Sequence, residues 1–150
     1  MKNFYHKGFS FIEIMIVVAV IGILVAIVLP QFSKTRENQV LKNAVRDVLS
    51  SIDKARSQTL SSLDSSEYGV HFQSNSIIIF KGTTFSSGAG DNETINIVTP
   101  ATISNIALTG GAVDTYFSRI YGVPSKSGTV TVSTSSYSKI INISATGAAY

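Results

Sequence analysis

Lys7-Gly8-Phe9-Ser10-Phe11-Ile12-Glu13 opens an apolar run that continues to Leu29 and is broken only by Ser10, Glu13 and Gly22. Residues 9–29, about 21 in all, are enough to cross a bilayer core as a helix. The run is too long for a secretory signal, and the Leu29-Pro30-Gln31-Phe32-Ser33 that follows lacks a small-x-small cleavage site. A plain membrane anchor fits the length but leaves Glu13 unexplained. A carboxylate inside a bilayer costs about 2.5–3.5 kcal/mol at mid-depth and less near the ends, so it calls for water or a cation. Cutting the chain after Gly8 creates such a cation, the new amine of Phe9. Phe9 and Glu13 are four residues apart and share a helix face. The pair can therefore form within one chain or with the next copy in a bundle.

Downstream, Val40, Leu41, Ala44, Val45, Val48, Leu49, Ile52 and Ala55 recur at helical spacing. A helix from Phe9 to about Leu60 would run on the order of 78 Å at 1.5 Å per residue. Pro30 removes one helix hydrogen bond, at about 3 kcal/mol, and Gly22 weakens the same stretch by nearly 1 kcal/mol. Pro30 either ends the first helix or sits in a longer one.

The rest of the chain is β-like. Tyr68–Phe72 and Ile77–Phe80 flank a Gln73-Ser74-Asn75-Ser76 turn and form an expected hairpin. Thr94–Val98, Ile103–Leu108, Thr129–Val132 and Ile141–Ile143 are further strands. Residues 86–92, 110–111 and 124–128 are loops. The expected fold class is α+β, a long N-terminal helix on an antiparallel sheet. Its segments are a leader over 1–8, a membrane or filament-core helix over 9–29, an amphipathic helix over 30–60 and a head over 61–150.

Charge follows that division. Residues 31–60 hold Lys34, Arg36, Lys42, Arg46, Lys54 and Arg56 against Glu37, Asp47 and Asp53, whereas the head is slightly acidic. Nucleic-acid binding by the head is not expected, because no basic patch is visible there. The chain has no cysteine, so disulfides neither stabilise it nor report its compartment.

Gly8-Phe9-Ser10-Phe11-Ile12-Glu13, the apolar run and Pro30 resemble the class III signal of type IV pilins and type II secretion pseudopilins. The resemblance covers about the first third of the chain. Ser10 and Phe11 stand where Thr and Leu are commoner. It implies that a prepilin peptidase cuts between Gly8 and Phe9 and methylates Phe9, and that Glu13 neutralises a neighbour's amine. Gly22 and Pro30 become points of helix flexibility, which lets such fibres stretch. Implied partners are that peptidase, other pilin or pseudopilin subunits through the N-terminal helix, an inner-membrane assembly platform, and membrane lipid before assembly. The implied location is the bacterial inner membrane, single-pass with an exported head, and then a periplasmic or surface filament. The positive-inside count alone gives the opposite orientation, since Lys34, Arg36, Lys42 and Arg46 follow the span while Lys2 and Lys7 precede it. Long domains translocate largely regardless of such charge.

Ala55-Arg56, Tyr68–Phe72, Ile77–Phe80 and the closing Lys139–Ala148 more loosely resemble H-type minor pseudopilins and related minor pilins. That implies a minor structural subunit; the alternatives are a major pilin, or a tip module binding a secreted substrate, a surface or DNA. A membrane-anchored hydrolase is a third class, but His6 leaves with the leader and His71 has no partner cluster. No catalytic residue, cofactor or metal ligand is assigned. Asp91, Asn92 and Glu93 carry oxygen atoms suited to calcium but lack an EF-hand pattern.

Overall fold

The computed structural model describes residues 8–150, so the expected leader lies outside the described residues except for Gly8. The chain forms two compact units, Met1–Arg36 and Glu37–Tyr150. Helix α1 spans Phe11–Leu60. It passes through residues 22 and 30 without interruption, so the chain does not leave the helix at Pro30.

Within the first unit the described apolar side chains of α1 are exposed, Ile14, Val18, Ile21 and Val25 among them. The stretch is long and apolar enough to cross a membrane. Within the second unit the helical stripe turns inward. Leu41, Ala44, Val48, Ile52 and Ala55 are buried, while Val40, Val45 and Leu49 flank them half-covered. A 3-4 spacing puts these residues on one face, and burying that face holds this part of the helix. The helix stops in a tight turn at Leu63–Ser65, where Ser62, Asp64 and Ser65 all have positive φ.

Seven strands follow: β1 (Tyr68–Phe72), β2 (Ser76–Lys81), β3 (Glu93–Asn96), β4 (Thr102–Leu108), β5 (Asp114–Tyr116), β6 (Gly128–Ser133) and β7 (Ser138–Ile143). They make two antiparallel sheets, ordered β3-β2-β1-β5 and β4-β6-β7. The β1–β2 hairpin sets Val70 opposite Ile79 and Phe72 opposite Ile77. In the second sheet Val130 faces Ile141 across β6 and β7. Both sheets contribute to the same core, in which Val70, Phe72, Ile77, Phe117, Val130 and Ile141 surround the helix stripe. The N–H groups of Ile97 and Ile103 donate to the carbonyls of Asn75 and Ser74, tying the β3–β4 connection to the β1–β2 turn.

The expected single sheet is thus two. Strand β3 ends at Asn96, because Ile97 turns inward to bond Asn75. The short β5 has no apolar alternation of its own and takes its conformation from pairing with β1 through Gly69, Val70 and His71. Glycine at position 69 is a packing requirement, since a Cβ there would meet Phe80 and lie 2.7 Å from the Thr115 carbonyl oxygen.

Candidate processing and assembly site

The Glu13 carboxylate caps the start of helix α1. The Ser10 carbonyl accepts the N–H groups of Glu13, at 3.0 Å, and Ile14, at 3.2 Å. The Ser10 N–H in turn donates to Glu13 Oε2 at 3.4 Å. Ser10 is therefore the first half-helical residue and Glu13 the third residue inside, and the carboxylate makes the reach-back half of a capping box. The carboxylate also lies at the positive end of the helix dipole. Ser-x-x-Glu is legible in the sequence, and its spacing could have signalled this cap.

Gly8 and Phe9 lie just outside the helix and are exposed. A Cβ added at Gly8 or at Gly22 would meet no atom within 4 Å. Packing inside the chain therefore does not select glycine at either position. The structure brings Gly8, Phe9 and Glu13 together at one helix end, while Gly22 and residue 30 lie further along the same helix.

In the second unit, polar contacts tie the helix to the head. Thr59 is fully buried. Its hydroxyl donates to the Ala55 carbonyl at 2.9 Å and accepts the Tyr68 N–H at 2.8 Å, which fixes where β1 begins. Arg56 donates from Nε to the Gly122 carbonyl at 3.0 Å and from Nη2 to the Thr146 carbonyl at 3.3 Å. Glu37 Oε1 accepts the Ser135 hydroxyl at 3.0 Å, joining the first residue of the unit to the β6–β7 turn. The Ser136 and Ser135 hydroxyls hold the Glu37 carboxyl below the ordinary carboxylate value. Lys81, at 3.1 Å, and the Tyr68 hydroxyl do the same for Asp64 in the turn after the helix.

His71 stacks on Phe85, with ring centroids 3.8 Å apart and planes 9° from parallel. Burial pushes its pKa down against the opposing charge of Asp114. Among the described residues no carboxylate or second histidine joins it in a metal-sized cluster. Glu93 is engaged by Lys54 at 2.6 Å, which leaves Asp91 as the uncommitted carboxylate of that loop.

Comparison with known proteins bears on the helix. Residues 3–29 match the family model described as the prokaryotic N-terminal methylation motif. Type IV major fimbrial proteins FimA of Dichelobacter nodosus are 45% identical over 51 residues. That match covers 34% of this chain and 30% of each relative, so the chain spans less than a third of the length of the curated relatives it matches. No solved structure matches the chain. Motif and helix agree in kind: the N-terminal segment carries the methylation motif on an apolar helix, and over 51 residues the chain is similar to type IV fimbrial proteins.

Proposed function

We propose that this chain is a structural subunit of a type IV pilus or a type II secretion filament, and a minor one. It is made as a precursor with leader 1–8, span 9–29, amphipathic helix 30–60 and head 61–150. The precursor is held in lipid of the inner membrane with its head exported. A prepilin peptidase cuts between Gly8 and Phe9 and methylates Phe9. An assembly platform then moves the subunit into a filament beside other pilins or pseudopilins. There Glu13 faces a neighbour's Phe9 amine, and Gly22 and Pro30 let the helix yield. The carrying observation is the apolar first part of α1, whose described side chains from Phe11 to Val28 are all exposed, with Glu13 as its one carboxylate at the capped end. Such a surface needs lipid or other helices around it.

A second reading is the major subunit. It is favoured by the curated relatives, whose printed name is "major fimbrial protein". Their matched residues cover only about a third of this chain, which leaves the other two thirds uncompared. Copy number in sheared filaments separates the two: a rare component supports the minor role, and a dominant one supports the major role. Cleavage is tested by Gly8→Leu. Among the described residues no atom beyond its chain neighbours lies within 4 Å of a Cβ added there, so the variant should fold and yet remain an uncut precursor. Normal maturation of Gly8→Leu would reject the cut site.

A further inference from the structure

The four most exposed large apolar side chains of the Glu37–Tyr150 unit are Ile120 (79%), Tyr121 (74%), Tyr150 (70%) and Ile140 (67%). They fall into two pairs at different places. Ile120 and Tyr121 project from the loop after β5, which Arg56 and Leu60 hold against the C-terminal end of α1. They border a groove of about 560 Å³ that also holds Glu67 and Arg119. Ile140 and Tyr150 line a second groove of about 360 Å³ beside Val45, with Lys42, Arg46 and Lys139 around it. From Arg46 to Leu60 the helix rises about 21 Å, so the two patches of one chain lie well apart.

Their charges differ. Lys54, Lys81 and Lys126 each have a carboxylate within 4 Å, at 2.6, 3.1 and 3.5 Å. Among the described residues Lys42, Arg46 and Lys139 have none, and neither Glu67 nor Arg119 has an ion-pair partner. A two-fold contact of the second groove with itself would set like charges face to face. Glu67 beside an apolar knob is the opposite-sign match for that groove. Asp47, next to Arg46 and also without a cation within 4 Å, offers Arg119 a counter-charge.

We propose that the Ile120–Tyr121 knob of one copy docks in the Val45–Ile140–Tyr150 groove of a second copy, with Glu67 meeting Lys42, Arg46 and Lys139. The contact is head to tail, since knob and groove are different surfaces, and such contacts propagate into open assemblies. It rests on the filament reading above in its major-subunit form, because a contact between like copies that propagates needs neighbouring copies of this chain.

The cysteine-free chain allows a direct test in cells that make the filament. Tyr121→Cys and Ile140→Cys are introduced singly and together at these exposed positions, and the cells are oxidised. The single variants should stay monomeric on non-reducing gels. The double variant should give a ladder of dimers, trimers and longer species. Lys139→Glu in the double-cysteine background should lower ladder yield about two- to fivefold, the range of an exposed ion pair, and adding Glu67→Lys should restore it. Dimers from a single variant would overturn the head-to-tail contact. So would a double variant that stays monomeric although the protein is present in sheared filaments. If the wild-type protein is absent from those filaments, the filament reading itself fails.

Discussion

Replacing Glu13 by glutamine separates two roles that the carboxylate could have at the start of α1. In the single chain, Glu13 Oε2 accepts the Ser10 N–H at 3.4 Å. A glutamine carbonyl can do the same, and glutamine is the other residue of capping boxes. That long, exposed contact is worth no more than about 1 kcal/mol. Even its complete loss would reduce incorporation into a filament by about fivefold or less. An amine–carboxylate pair buried among apolar helices is a different quantity. Removing one partner of such a pair costs about 3–5 kcal/mol, or roughly two to four decades in an equilibrium constant. Glu13→Gln keeps the cap and discards the charge. It should therefore be cleaved after Gly8 at the normal rate, remain in the membrane, and enter sheared filaments at least about 100-fold less than the wild type. The measurement is the ratio of mature protein in the sheared fraction to mature protein in the membrane, by quantitative immunoblot. Incorporation within fivefold of wild type would show that Glu13 acts as a cap and not as a charge partner.

Four further variants test the Glu37–Tyr150 unit. Thr59→Val deletes the hydroxyl that receives the buried Tyr68 N–H, and should lower unfolding stability by about 1–3 kcal/mol in urea titration; a change under about 0.5 kcal/mol would mean that the strand start is held by other contacts. Gly128→Ala should be destabilising by at least about 1–3 kcal/mol, because φ is +152° and the new Cβ would lie 2.8 Å from Leu108 Cα. Gly88→Ala, with nothing within 4 Å, should leave the melting temperature unchanged. Glu37 and Asp64 have folded-state pKa values below their ordinary 4.5 and 3.8. Their stabilising contribution is thus complete above those values and is lost as pH falls through the lower folded ones; Glu37→Gln should flatten the acid limb of a melting-temperature–pH curve, and an unaltered limb would contradict that linkage.

The helix was legible because its two halves carry different but strong patterns. Residues 9–29 are almost wholly apolar, and the Val40–Ala55 stripe has a 3.6-residue period that survives as Leu41, Ala44, Val48, Ile52 and Ala55 in the core. Six of the seven strands were marked by alternating or β-branched residues between turn-forming ones. Strand β5 was not, because Asp-Thr-Tyr has no apolar pattern and is extended only through its ladder with β1. The split into two sheets was also hidden, since strand order depends on pairings such as β4 with β6 that join residues far apart in the chain. At the helix start, Gly8, Phe9 and Glu13 stand out by residue type and spacing as the expected processing and assembly residues. The contact between the Ser10 N–H and Glu13 is less legible, because the demand of a membrane carboxylate for a cation outweighs a local cap. Arg56 was equally opaque: two carbonyls that receive it, at Gly122 and Thr146, come from loops whose closeness only the fold creates.

That guanidinium has a consequence for quality control. The closing segment folds back so that the N–H and carbonyl of Tyr150 pair with those of Asn142, covering part of β7, while the Thr146 carbonyl receives Arg56. A chain cut short in translation or nicked before residue 144 forfeits both contacts at once. It presents an open β edge, the kind of surface that recruits proteases and aggregates. With residues 144–150 in place part of that edge is already paired, so the closing segment shields β7 from strands of other chains.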